Sequence, residues 1–133
     1  MTRHPYSQEY FPPMPTVEIY LGLPSEAPRV GPLTAVLDTG ADGTLVPAET
    51  LARLGTAETD QVWIVSQWSE HRLAKVYMLD VHLGLLRLPA MRVVSDDLGN
   101  EVILGRDVLN KLRVLLDGPA QTTEILESKS KRK

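Results

Sequence analysis

Cysteine is absent from this chain of 133 residues. That absence excludes disulfides, thiol chemistry and zinc sites built on cysteine. The three histidines, His4, His71 and His82, are scattered along the chain and lack the spacing of metal ligands. The sequence therefore predicts no metal site.

Long apolar runs and an excess of positive charge are missing as well. No segment is long and apolar enough to span a membrane. Residues 1–15 are polar and rich in proline, unlike a secretory signal peptide. The net charge is −3 and no basic face is evident before the last few residues, so nucleic acid is a poor candidate partner. These features predict a cytoplasmic protein with no nucleic-acid or membrane partner.

The length of the chain suits one domain with its own core. Hydrophobic residues make up 43% of it, near the average for globular proteins. We expect an extended N-terminal arm at residues 1–15, a single folded domain at 16–127 and a basic, solvated tail at 128–133.

The apolar pattern predicts a mostly β protein with two short helices. Residues 33–37 form a continuous apolar run, which is typical of a strand buried on both faces. Pro47 suits the beginning of a helix and Gly55 its end. Residues 23–32 contain three prolines and are expected to form a loop, and the polar residues 67–72 form the tip of a hairpin. We expect strands at residues 16–21, 33–37, 62–66, 73–79, 81–83, 86–94, 102–104, 113–116 and 122–126, and helices at 47–54 and 106–112.

Two short segments carry the functional signal. In the first, an apolar run ends at Asp38, and Thr39 and Gly40 follow. A carboxylate directly after a buried strand is held where its ionisation can be tuned for acid-base chemistry. The triplet alone is weak evidence, because Asp and Gly are ordinary turn residues. Its meaning comes from the second segment, Ile103-Leu104-Gly105-Arg106-Asp107-Val108-Leu109.

In order, spacing and flanking strands, these two segments resemble those of the retropepsins, the single-domain aspartic proteases of retroviruses and their bacterial relatives. The resemblance covers roughly residues 16–117. It implies a closed β barrel or sandwich with one or two short helices. It also implies an aspartic endopeptidase that binds its polypeptide substrate in an extended conformation and needs no cofactor.

The resemblance implies a homodimer too, because only one Asp-Thr-Gly occurs and the family's site needs two aspartates. Asp38 of each subunit would meet at a two-fold axis and activate water between the two carboxyl groups. A second hypothesis is a module of the same fold that binds peptide or dimerises without catalysis. A metal site at Asp38 and Asp42 is a remote third hypothesis, since no further ligand cluster supports it.

The same resemblance assigns roles to the neighbours of Asp38. Thr39 would hydrogen-bond across the two-fold axis, and the Gly40 carbonyl would accept a hydrogen bond from substrate. Ala41 keeps the wall beside the aspartates shallow. Asp42 would bind substrate backbone and pair with Arg106, although Arg106 could instead be an ordinary exposed arginine.

Further positions support or line the expected groove. Gly105 lies beneath the catalytic loop in the family, where a side chain would collide. Leu45, Val46 and Ile103 fall near positions that line apolar subsites, or else they pack in the core. Trp68 either covers the substrate or packs on protein.

Two departures from the retroviral pattern concern the flap and the chain ends. The hairpin tip that matches the flap, from Ser66 to Arg72, contains no glycine, so we expect it to be stiffer or differently shaped. Retroviral enzymes interleave their terminal strands and use an arginine before the first strand, where this chain has Met14. The non-catalytic hypothesis rests on these departures.

Overall fold

Within the part of the chain that the structure describes, the alternation of β-branched and leucine-rich segments with turn residues produces ten strands and two short helices. The computed structural model describes residues 1–65 and 70–126. The strands are β1 (Thr2–Pro5), β2 (Thr16–Gly22), β3 (Pro28–Leu37), β4 (Thr44–Pro47), β5 (Glu58–Val65), β6 (His71–Leu83), β7 (Leu86–Asp96), β8 (Val102–Leu104), β9 (Arg113–Asp117) and β10 (Thr122–Leu126), and the helices are α1 (Ala48–Leu54) and α2 (Arg106–Leu109).

Six of the strands close into a barrel. They follow the order β2-β3-β8-β4-β7-β6, and β6 returns to pair with β2, with Leu21 opposite Val81. β5 lies outside this ring and pairs with the first part of β6 as a hairpin. The mostly β, closed-barrel fold expected from the sequence is therefore confirmed. No helix within the described residues is long and apolar enough to cross a membrane.

The core fills the interior of this barrel. Its apolar side chains alternate along the strands, as a half-buried sheet requires. Helix α1 covers one part of it with Leu51 and Leu54. The largest fully buried apolar side chains are Ile19, Leu21, Leu54, Leu79, Leu83, Leu104, Val17, Val46, Val81, Val93 and Val108.

Helix α1 ends where its sequence predicts and begins one residue later than expected, at Ala48. Pro47 precedes the first helical residue, a position where its missing N–H costs no hydrogen bond. Gly55 ends the helix with a left-handed φ of 82°, and its N–H donates to the Leu51 carbonyl. A residue with a side chain would be strained at that angle.

The expected loop at residues 23–32 is wrong in its second half. β3 begins at Pro28, and Val30 pairs with Leu21 of β2. Register shifts in β2 accommodate this irregular stretch, and Gly31 adopts a φ of +143° that favours glycine. Long-range pairing thus overrides the local preference of the prolines. Helix α2 is also shorter than expected, since it ends at Leu109.

The first strand and the last two described strands form a second, smaller sheet. Within the predicted arm, Thr2–Pro5 forms β1, which pairs with β10 of the same chain. β10 also pairs with β9, so the strand order is β1-β10-β9. The predicted tail at 128–133 lies outside the described residues.

A buried carboxylate interrupts the apolar pattern of β6 without ending the strand, contrary to the break expected between residues 79 and 81. The residue Asp80 is fully buried. Its carboxylate accepts hydrogen bonds from the Ser25 N–H at 2.9 Å, the Ala90 N–H at 2.8 Å and the Arg87 guanidinium at 2.8 Å. Burial acts to raise the pKa of Asp80, but these hydrogen bonds outweigh it and the pKa is lowered from its ordinary value.

We predict that Asp80→Asn lowers the free energy of unfolding by about 3 kcal/mol at neutral pH, because the amide turns one acceptor into a donor among buried donors. A carboxyl group with a lowered folded-state pKa adds stability above its unfolded pKa of about 3.9 and loses it as the pH falls through the folded value. The difference between wild type and variant should therefore shrink in acid. Urea unfolding at several pH values measures this.

The matched control is Asp60→Asn. Asp60 also pairs with an arginine, Arg92, at 2.8 Å, but both side chains are more than half exposed. Loss of this ion pair should lower the free energy of unfolding by less than about 1 kcal/mol. Equal costs for the two substitutions would contradict a special role for Asp80.

Candidate active site

Asp38 lies one residue beyond β3, at the start of a tight turn. Its N–H donates to the Leu104 carbonyl of β8 at 3.0 Å, which continues the pairing of β3 with β8. The carboxylate Oδ1 accepts the Gly40 N–H at 2.9 Å, and the Asp38 carbonyl accepts the Ala41 N–H at 3.1 Å. The side chain is half-buried, and Oδ2 has no hydrogen-bond partner among the described residues. One carboxylate oxygen is thus held and the other is available.

Sheet topology brings the two sequence motifs together. β3 and β8 run parallel, and Leu37 lies opposite Leu104. Both strands therefore end at the same edge, where one leads into Asp38 and the other into Gly105. A carboxylate and its supporting loop meet here although more than sixty residues separate them in sequence.

Arg106 holds the turn through three contacts. Its backbone N–H donates to the Ala41 carbonyl at 2.8 Å. Its Nη1 donates to the Thr39 carbonyl at 2.7 Å, and its Nη2 forms an ion pair with the Asp42 carboxylate. The Arg106 and Asp42 side chains are 44% and 93% exposed, so their charge attraction is weak. The geometry of the three contacts, rather than the charge, is what positions the turn.

Gly105 fits beneath the same turn because it has no side chain. A Cβ atom there would lie 2.3 Å from the Gly43 carbonyl oxygen and 2.9 Å from that of Ala41. Both neighbours are backbone atoms, which cannot move aside as a side chain could. This closeness matches the collision implied by the family resemblance.

Two residues to which the sequence assigned no role, Thr44 and Asp107, complete the support of the turn. The buried Thr44 hydroxyl accepts the Gly105 N–H at 3.1 Å and donates to Asp107 Oδ1 at 2.8 Å. Asp107 Oδ1 also accepts the Val108 N–H at the start of α2. The only sequence signal for this contact was a hydroxyl residue, Thr44, at the beginning of an apolar strand. It did not identify the partner, Asp107, which lies 63 residues away.

The residues expected to line a groove fall into different environments. Leu45 and Ile103 lie opposite each other in β4 and β8, and both are half-buried. Val46 is 1% exposed and belongs to the core. The structure thus corrects its assignment to a subsite, because the strand turns its side chain inward. Trp68 lies outside the described residues.

One edge of the turn faces solvent in the single chain. Thr39 and Gly40 are exposed, while Ala41 is half-buried. No group of three or more His, Cys, Asp or Glu side chains within residues 1–65 and 70–126 could hold a metal ion. The geometry offers a positioned carboxylate with an open face beside it.

A sequence model of the family described as "gag-polyprotein putative aspartyl protease" matches residues 30–111, which is more than half of the chain. The chain belongs to this family, and its fold is retropepsin-like. The matched span includes Asp38 and Arg106 and so contains both motifs. Comparison with curated proteins gave no match.

The solved structures that share the fold include the following three. A retropepsin-like aspartic protease from Rickettsia conorii has a TM-score of 0.65 and 12% identity over 93% of this chain and 88% of its own. The protease of EIAV has a TM-score of 0.57 and 21% identity, over 80% of this chain and 91% of its own. The retroviral protease-like domain of Ddi1 from Leishmania major has a TM-score of 0.52 and 20% identity, over 84% of this chain and 87% of its own.

We predict that Gly105→Ala lowers the free energy of unfolding by about 3 kcal/mol, because the methyl group would overlap two backbone carbonyls. Gly118→Ala is the matched control, since a Cβ atom there meets nothing within 4 Å. Its effect should stay within about 0.5 kcal/mol. Chemical unfolding of both variants measures the difference, and similar values would contradict the close packing at Gly105.

Proposed function

We propose that this protein is an aspartic endopeptidase whose site combines Asp38 from two copies of the chain. The observation that carries the proposal is the Asp38 turn itself. One carboxylate oxygen is held by the Gly40 N–H, the other is available, and the adjacent edge at Thr39 and Gly40 is exposed. Membership of an aspartyl protease family supports the same conclusion.

A second copy supplies what one chain lacks. Water attack on a peptide requires one group that removes a proton from water and another that protonates the scissile carbonyl. One Asp38 provides only one such group. Two copies related by a two-fold axis provide both, and the exposed edge of the turn leaves room for the approach.

Electrostatic repulsion then gives the two identical Asp38 carboxyl groups different protonation states and different roles. In aspartic proteases, two carboxyl groups about 3 Å apart share one proton because they cannot both ionise. The ionised Asp38 accepts a proton from the water, and the protonated Asp38 gives its proton to the carbonyl oxygen. The water oxygen bonds to the carbonyl carbon and forms a tetrahedral diol. The C–N bond then breaks as the nitrogen takes the proton now held by one Asp38, and a hydroxyl of the diol gives its proton to the other Asp38, so that a carboxyl group and an amine leave and the pair again holds one proton.

Residues around the pair bind the polypeptide as an extended strand. Gly40 is exposed. Its carbonyl accepts an amide N–H of the substrate, and Ala41 leaves space beside it. Asp42 accepts a further backbone N–H while it remains paired with Arg106. Leu45 and Ile103 offer half-buried apolar surface to substrate side chains.

The non-catalytic alternative is not favoured. The family is described as an aspartyl protease, and two of the structural neighbours are themselves named as proteases. The Asp-Thr-Gly triplet and the supporting Gly105 and Arg106 are all present in this chain.

Asp38→Asn should abolish cleavage, with a loss of at least about a thousandfold in kcat/KM, because an amide cannot take a proton from water. Digestion of a peptide library, read by mass spectrometry, measures it. The exposed Asp97 gives the control variant Asp97→Asn, which should cleave as wild type does. Unchanged cleavage by Asp38→Asn would reject the proposed mechanism.

Thr39 gives a second, graded prediction. Its hydroxyl is proposed to hydrogen-bond across the two-fold axis and keep the two carboxyl groups aligned. Thr39→Ser retains that hydroxyl and should keep most of the activity, whereas Thr39→Val has the same shape without it and should lose activity. Rates at equal concentrations of folded enzyme, verified by circular dichroism, test this. Equal rates for the two variants would count against the role of the hydroxyl.

A further inference from the structure

One face of β3 carries a row of side chains that ends at Asp38. Thr34, Val36 and Asp38 are alternate residues, so they project to the same side of the strand. Ala35 and Leu37, which lie between them, project to the other side and pack in the barrel core. A strand rises about 3.3 Å per residue, so an extended polypeptide bound at Asp38 passes its neighbouring side chains along this row.

The neighbouring strand β8 adds a second row on the same face. Ile103 lies opposite Val36 in the parallel ladder. Glu101 comes two residues before Ile103 and projects to the same side, because Val102 between them packs in the core. The Glu101 carboxylate therefore lies beside the row that leads to Asp38.

A cavity of about 250 Å³ lies over the two rows, and we call it the Glu101 cavity. Thr34, Val36 and Glu101 line it from the barrel, and Glu9 and Tyr10 are among the residues that line it from the N-terminal arm. Two of its lining residues are thus acidic, and none that the structure describes is basic. Its volume suits a single side chain, since sites for whole small molecules measure about 300–1,000 Å³.

The arm holds the Glu101 carboxylate in place. The Ser7 N–H donates to the Met14 carbonyl at 2.8 Å and the Met14 N–H to the Ser7 carbonyl at 3.1 Å, which closes residues 7–14 into a loop. Tyr10 extends from this loop, and its hydroxyl donates to Oε2 of the half-buried Glu101. Within residues 1–65 and 70–126, no donor bonds to the other oxygen, Oε1.

We infer that the Glu101 cavity is a substrate subsite for a lysine or arginine side chain, and that Glu101 selects it. The inference deepens the proposed function and rests on it, because the row of side chains matters only if a polypeptide is bound at Asp38. The cationic group forms a charge-assisted hydrogen bond with Oε1, and its apolar stem lies along Val36. An acidic side chain would bring a second negative charge to the same carboxylate and is disfavoured.

The proposed two-fold symmetry doubles this preference. Each subunit of the dimer carries one Glu101 cavity, so an extended substrate meets one on either side of the scissile bond. At about 3.3 Å per residue, the lining residues Thr34 and Val36 place each cavity within about three substrate residues of that bond. Substrates with a basic residue on both sides are therefore expected to be cleaved fastest.

Short peptides of alanine and leucine test the subsite. Each carries one lysine, which is moved through every position, and matched sets carry glutamine or glutamate instead. For wild type, lysine should raise kcat/KM over glutamine by at least about tenfold at one position on either side of the scissile bond. Mass spectrometry locates the cleaved bond. Equal gains at every position would reflect net charge alone and would overturn the subsite.

Substitutions of Glu101 change the ratio of the lysine to the glutamine rate, which cancels any general loss of folded or dimeric protein. Glu101→Gln should bring this ratio to within about twofold of one, and Glu101→Arg should favour glutamate over lysine. Tyr10→Phe should lower the ratio because the carboxylate is no longer held, whereas a merely structural role would lower both rates alike. The control is Glu49→Gln, which removes an exposed charge outside the cavity and should leave the ratio unchanged. An unchanged ratio in Glu101→Gln would overturn the inference.

Binding separates this inference from the protease assignment. Fluorescently labelled copies of the same peptides are titrated onto Asp38→Asn, with and without Glu101→Gln, and followed by fluorescence polarisation. If wild type cleaves no peptide but lysine improves binding at particular positions through Glu101, the subsite stands and the protease assignment falls. If wild type cleaves through Asp38 with no preference for basic residues, the protease stands and the subsite falls. Absence of both cleavage and lysine-dependent binding would overturn both.

Discussion

The contacts of Arg106 with the turn at residues 38–42 are the interaction on which the rest of the site depends. The turn follows one barrel strand and the arginine follows its parallel neighbour, so a defect in either strand would displace both. Gly105 allows the two segments to touch backbone to backbone. This closeness matters for the proposed mechanism, because two such turns must meet with their carboxyl oxygens within hydrogen-bond distance.

Much of this arrangement can be predicted from sequence, for local reasons. Strand alternation, the proline before α1 and the glycine after it are short-range signals, and the structure follows them. The motif at Asp38 becomes informative only when it is combined with the motif at Gly105, because together they specify two parallel strand ends. The Asp42–Arg106 ion pair implied by that combination is present. The roles of these residues in catalysis stay predictions.

The features that the sequence did not reveal all depend on distant partners. Pro28 enters a strand because β2 is there to pair with it. Asp80 interrupts an apolar pattern and so predicts a break in the strand. In the structure it is fully buried, and its carboxylate accepts hydrogen bonds from three other residues. Thr44 looks like an ordinary strand residue, because its hydrogen-bond partner Asp107 lies 63 residues away in the sequence. For Val46 the sequence left a subsite and the core as alternatives, and closure of the barrel buries its side chain in the core.

The pairing of β1 with β10 of its own chain has a consequence for assembly. In the proposed dimer, a subunit whose N-terminal strand is already paired within its own chain need not exchange that strand with its partner, and the two subunits can separate without breaking this pairing. Folding and association then become independent steps. The concentration of the protein, rather than its rate of refolding, would then set the fraction of the chains that is dimeric.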